Sequence, residues 1–427
     1  MGSESSRGAL AGITNTDRRV LVLAFARTAD AFGNSFLVVV LPLYVAGPID
    51  LGGLAGVPVP LAGSLTGALA IGIALSAFSV ASSLAQPLVG RLSDRTGRRR
   101  AFVLCGLVVL AAVNAAYVFT EGYPVVLGLR VLGGVGAALT IPPTVALIDD
   151  VAPDARGESF GVFNAARLLG FGVGPVVAGA IVSVDRYAVA GRTVSGFDVA
   201  FVVAAAAAAL GFVLVARFVR DPDGLTSAGT ERSLAAGDPG GDEAGRSVLA
   251  AGVASFAIAA VLAGFAPLEN AINARLDQGS TVFAIQFAAG VLATISLQAP
   301  IGRASDRYGR RPFLLAGFAL LVPATLAQGF VFDSLSMLVA RFGQGVAVTL
   351  VYTPALALAG DLAGTGGTAG RLATVTTAYG LGVAVGPIVA GALVGHGFAI
   401  PFVVGAALGV CGFGLVYVGV EESASGS

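Results

Sequence analysis

The chain has 427 residues, 56% of them hydrophobic and 12% charged, with a mean hydropathy of +0.87. Soluble domains carry about 25% charged residues, so this composition cannot cover a water-facing surface and excludes a cytoplasmic enzyme, while its apolar content excludes a disordered chain. The formal charge is zero, from 25 basic and 25 acidic residues, which removes the electrostatic footprint of a nucleic-acid partner.

A helix crosses a bilayer with about 20 apolar residues. Twelve such spans are predicted, at residues 20–44, 65–89, 101–120, 124–148, 159–184, 198–216, 248–268, 280–301, 312–331, 334–359, 372–395 and 398–420. The leader, 1–19, precedes an apolar stretch too long for the core of a cleaved signal, so a retained first helix is expected. That span holds Arg27 and Asp30; the fourth, fifth and tenth hold Arg130, Arg167 and Arg341. Between spans 6 and 7 lies the only long polar stretch, 220–246, rich in Gly, Asp, Ser and Pro and opening on the turn-forming pair Asp221-Pro222. It reads as a flexible linker. The expected plan is a leader at 1–19, a six-helix half at 20–219, the linker at 220–246, a second six-helix half at 247–420 and a tail at 421–427. Eighteen arginines fall in the leader, the even-numbered loops and the linker, against Arg186, Arg192 and Arg275 on the other side. Because positive residues stay on the cytoplasmic side, a multi-pass protein of the cell membrane with both termini in the cytoplasm is expected.

The halves repeat. GRLSDRTGRR at 90–99 matches GRASDRYGRR at 302–311; RVLGGVGA at 130–137 matches RFGQGVAV at 341–348; GVGPVVAGA at 172–180 matches AVGPIVAGA at 384–392. Three matches in one order at one spacing define two copies of a six-helix plan, a common construction among secondary transporters.

Site chemistry of other kinds is sparse. Cys105 and Cys411 lie inside apolar runs and are expected to pack as small hydrophobes. The single histidine, His396, has no partner at metal-ligand spacing, so neither a metal nor a cofactor is expected. Gly134 and Gly136 lie within an apolar helix, where a dinucleotide fingerprint does not form.

On these residues the chain resembles the major facilitator superfamily, and more particularly its multidrug/proton antiporter branch. GRLSDRTGRR between spans 2 and 3, repeated between spans 8 and 9, is similar to that family's signature loop. Arg130 with Gly133, Gly134 and Gly136 resembles its helix 4 motif. Gly170, Gly174, Pro175 and Gly179 resemble a helix 5 motif associated with antiporters, and the pattern recurs as Gly382, Gly386, Pro387 and Gly391. The resemblance implies an all-α membrane fold of two pseudo-symmetric six-helix halves. It also implies that helices 1, 4, 7 and 10 line a cavity shared by Asp30 and Arg130, and that the two signature loops form a gate.

In that gate Asp94 and Asp306 sit in tight loops turned by Gly97 and Gly309, each able to latch onto the positive start of a helix in the other half. Gly90, Arg95, Arg98, Gly302, Arg307 and Arg310 complete the two loops, and Asp149 or Asp150 would pair with Arg95 or Arg98. The alternative for these side chains is a solvated arginine cluster. Asp30 lies near the membrane midplane, where charged groups mark a transport path or find a partner. With Arg130 or Arg27 as partner it either exchanges a proton during transport or serves as a static counter-ion. Ser255 stands at the repeat position of Asp30, Arg341 repeats Arg130, and Glu269 falls nearer the outer rim. Four arginines against one aspartate within the spans point equally to an anionic substrate or to arginines bonded to backbone carbonyls.

The expected function is secondary transport by alternating access, as proton-coupled export of a small amphipathic compound. The alternative is uptake or exchange of a small, possibly anionic metabolite; a remote one is a non-transporting membrane receptor. Expected partners are the small-molecule substrate, protons and the lipid bilayer, with a monomer as the unit.

Overall fold

A computed structural model of the chain describes residues 17–59, 63–151, 156–189, 191–221, 242–361 and 368–420. Most of the predicted leader, most of the predicted linker and the tail therefore lie outside the described residues. The helices are α1 Arg18–Ala46, α2 Gly67–Thr96, α3 Arg99–Ala116, α4 Tyr123–Val151, α5 Arg156–Val182, α6 Gly196–Phe218, α7 Asp242–Ala263, α8 Ser280–Tyr308, α9 Arg311–Gln328, α10 Ser334–Asp361, α11 Thr368–Leu393 and α12 Ile400–Gly419. All twelve are long and apolar enough to cross a membrane. α7 breaks at Gly264 and resumes as a short helix, Glu269–Leu276.

The two motif helices end later than the uncharged runs that announced them. α2 continues through the signature motif to Thr96, and α8 to Tyr308, because charge bars a residue from hydrocarbon and leaves it free to continue a helix in water. Asp94 and Asp306 consequently sit in the last turns of helices, a correction to their expected place in the loops. The turns proper are formed by Gly97 (φ 64°) and Gly309 (φ 91°), a conformation that glycine adopts without a Cβ clash. Two small hairpins were not anticipated: β1 Pro58–Val59 with β2 Gly63–Ser64, and β3 Arg186–Val189 with β4 Arg192–Ser195. The second leads into α6, whose start is capped by Ser195, its side chain accepting from the Asp198 N–H at 3.1 Å.

Two compact units are distinguished, and the far ends of α1 and α2, together with the first residue of α4, belong with α7 to α12. In the first unit Leu23, Val103, Leu107, Leu147, Phe163 and Val215 bring α1, α3, α4, α5 and α6 onto one core. In the second, Ala254, Ile258, Phe318, Leu321, Val351 and Val416 do the same for α7, α9, α10 and α12. Since lipid tails are as apolar as leucine, such helices associate through close packing and hydrogen bonds, and the glycines mark where backbones meet. A Cβ at Gly170 would lie 2.5 Å from the Thr28 carbonyl oxygen of α1, and one at Gly386 2.2 Å from the Ala260 oxygen of α7. The same closeness joins α11 to α2: a Cβ at Gly391 would meet the Ala68 oxygen at 2.3 Å. Cys105 and Cys411 are free thiols on exposed helix faces, so they contribute no interior packing.

Candidate functional site: buried charges on the helices

Asp30 occupies the middle of α1 and is 6% exposed. Its partner is Arg27, one turn earlier on the same face, and not Arg130. A three-residue spacing puts both groups on one side of a helix, so the pair closes within α1 and needs no second element. Hydrogen bonds to α5 pin α1 on either side of it. The Thr28 hydroxyl donates to the Ala166 carbonyl at 3.0 Å, and the Ser35 hydroxyl to that of Gly170 at 3.1 Å. Both bonds depend on Gly170 and Gly174 letting α5 come close, so the helix 5 glycines hold the helix that carries the acid.

Arg130 is 3% exposed on α4 and lies beside the Tyr117 side chain, just past the end of α3. Tyr117 in turn stacks on Phe201 of α6, ring centroids 4.9 Å apart. Arg167 donates to the Asn164 side chain at 3.0 Å. Arg341 of α10, the repeat counterpart of Arg130, has no carboxylate partner either: 1% exposed, it lies with its guanidinium 3.8 Å above the Phe265 ring and bonds to the Gln344 side chain. Arg341 Nε and Nη2 have no hydrogen-bond acceptor among the described residues. A cation over an aromatic face is attracted by the ring quadrupole, which here replaces the missing counter-ion in part. The Ser255 hydroxyl, where the second half would hold its acid, is buried without a partner among the described residues.

Glu269, expected nearer the outer rim, is a buried acid. The break in α7 folds it inward to 0% exposure, and neither carboxylate oxygen has a partner among the described residues. Its neighbour Asn270 donates to the Pro42 carbonyl of α1 at 3.1 Å.

Each signature motif is bridged by one arginine to two aspartates. In the first, Arg99 binds Asp150 at the end of α4, approaches Asp94 at 3.6 Å and donates to the Ala146 carbonyl at 2.7 Å. Arg95 and Arg98, the partners expected for Asp149 or Asp150, are exposed instead; helix geometry turns them to water, while Arg99, first residue of α3, faces α4. In the second copy Arg310 binds Asp306, the Ser305 hydroxyl at 2.8 Å and Asp361 at 3.0 Å. Partial burial works against the Arg310 charge, and the two carboxylates outweigh it, holding its pKa above the ordinary value. Asp361 is the repeat partner of Asp149, a signal the 212-residue offset already contained. Another capping acid, Asp221, accepts from the Arg100 N–H at 2.8 Å, where a helix start favours negative charge.

No group of metal-ligating side chains occurs among the described residues. Twelve helices long and apolar enough to cross a membrane, with most of their buried charges paired or stacked, mark a multi-pass membrane protein. The sequence signature of the Major Facilitator Superfamily matches residues 23–266 and 247–427, and the chain belongs to that family, whose members move solutes and are not enzymes. Among curated relatives, Quinolone resistance protein NorA of Staphylococcus aureus is 25% identical over 218 residues, 51% of this chain and 49% of that protein; the chain thus spans about half the length of the curated relatives it matches. Among solved structures, the human organic anion transporter MFSD10 is similar with a TM-score of 0.65 and 22% identity, over 94% of this chain and 99% of that one. The nucleoside transporter NupG gives 0.74 and 12%, over 95% and 100%. At these identities the likeness is one of fold.

Proposed function

We propose that the chain exports small amphipathic compounds in exchange for protons, by alternating access between its two six-helix halves in the cell membrane, with both termini in the cytoplasm. The observation that carries this reading is the buried Arg27–Asp30 pair in the middle of α1. A proton arriving on Asp30 cancels its charge and releases Arg27, and a proton leaving re-forms the pair. The site therefore has two charge states that an alternating cavity can load from one side and empty to the other. Export is supported by the glycine and proline pattern of α5 and α11 and by the likeness to a quinolone resistance protein. Orientation is supported by the arginine asymmetry of the loops. The Arg99 and Arg310 bridges fit a gate on the cytoplasmic face, bracing the motif helices against α4 and α10.

The test uses purified protein in liposomes with a trapped pH dye, an imposed proton gradient, and lipophilic drugs and organic anions added singly. A compound-dependent dye response that Asp30→Asn abolishes, in protein shown to remain folded and inserted, is expected; an undiminished response removes Asp30 from the coupling.

A second reading, exchange or uptake of a small anionic metabolite, is favoured by Arg341, whose two unaccepted nitrogens are donors suited to a carboxylate. MFSD10, a structural neighbour, is an organic anion transporter. In the same experiment this reading requires the anions to give the response, and Arg341→Gln, which keeps a neutral amide, to remove it.

A further inference from the structure

Behind the break in α7 lies a half-enclosed cavity of about 150 Å³, walled by α7, α9, α10, α11 and α12. Nearly all of its lining is apolar, Phe265, Val389, Phe402 and Val404 among it, and Gln328 and Gln344 are the polar exceptions besides a threonine. Gln344 is spoken for: it accepts from Arg341 and donates to the Thr325 hydroxyl at 3.1 Å. Gln328 is not. Its Nε2 donates to the Ala324 carbonyl at 3.0 Å, but its Oε1, on a side chain 1% exposed, has no donor among the described residues. A buried amide oxygen left without a donor costs free energy, and the cavity it borders is where a donor could be supplied.

Size and access narrow the chemistry. A largely apolar cavity of roughly 150 Å³ has the size that accepts a single aromatic ring. Its walls include Val389 of α11 and Val404 of α12, two exposed side chains on membrane-spanning helices, through which a solute dissolved in hydrocarbon would enter. We propose that this cavity is a binding site for a phenol: one aromatic ring seated against Phe265 and Phe402, with its hydroxyl donated to Gln328 Oε1, arriving through the bilayer between α11 and α12. It adjoins the Arg341 site of the second reading, sharing Phe265 and Gln344 with it.

The experiment places the full-length protein in lipid nanodiscs and titrates 4-fluorophenol, and separately fluorobenzene, reading fluorine NMR line broadening against empty nanodiscs to remove partitioning into lipid. A saturable component is expected for both probes. Gln328→Leu is expected to weaken 4-fluorophenol ~5-fold, the worth of one neutral hydrogen bond, and to leave fluorobenzene unchanged. Val404→Phe, a change on the open rim that leaves the packed core intact, is expected to abolish both. Signals equal to those of empty nanodiscs overturn the site. Saturable binding insensitive to Val404→Phe overturns its location, and a Gln328→Leu effect equal for the two probes overturns the proposed acceptor.

Discussion

Taking a carboxylate and a guanidinium out of water costs several kcal/mol for each ion unless they meet with good geometry, and α1 provides that geometry within its own length. Removing either partner leaves the other buried alone, a loss of about 3–5 kcal/mol. Arg27→Met and Asp30→Leu should each lower the thermal midpoint markedly, and the double variant Arg27→Met/Asp30→Leu should recover most of the loss, as measured by thermal unfolding in detergent. Losses that simply add would show the two groups to be uncoupled. The depth of Asp30 was readable from 1.5 Å of rise per residue, whereas its partner was not: Arg27 and Arg130 were both within reach, and only the rotation of α4, which turns Arg130 toward Tyr117, separates them. Glu269 shows the same limit. Its position along the chain is near a helix end, yet a break at Gly264, invisible in hydropathy, carries it inside.

Elements are held by close backbone approach where glycines line one face. A Cβ at Gly386 would press on the Ala260 oxygen at 2.2 Å, and backbone cannot yield as a side-chain tip does. Gly386→Ala should therefore cost about 1–3 kcal/mol by forcing α11 off α7, whereas Gly128→Ala in α4, with open space around it, should be neutral or slightly stabilising through its helix propensity; thermal midpoints of the two variants decide this. These glycine faces were legible as close-packing surfaces, but their partners were not. Gly170 and Gly382 meet α1 and α7, each in its own half of the sequence repeat, and Gly391 meets α2. The bridges between elements are equally selective. Arg99→Gln strands Asp94, Asp150 and a carbonyl at once, so it should impair both transport and stability, while Arg95→Gln, on an exposed side chain, should leave the thermal midpoint unchanged. Equal effects in the two variants would return the motif to a solvated arginine cluster.

At the scale of the whole molecule the arginine distribution supports the proposed orientation, with both termini in the cytoplasm. In a background without Cys105 and Cys411, Thr193→Cys in the β3–β4 hairpin should react with a membrane-impermeant thiol reagent in intact cells. Thr96→Cys at the end of α2 should react only after the cells are opened; the reverse pattern would invert the topology. By itself the sequence determined the number of spans, the two-fold repeat and the family, because in hydrocarbon every backbone polar group must be satisfied inside its own helix and length and apolarity then suffice to mark each element. The tertiary structure alone decided which charges meet. Asp30 with Arg27, Arg99 with Asp150, Arg341 over Phe265 and the unanswered oxygen of Gln328 depend on the rotation and spacing of neighbouring helices, which are set by packing among many side chains at once and leave no periodic trace along the chain.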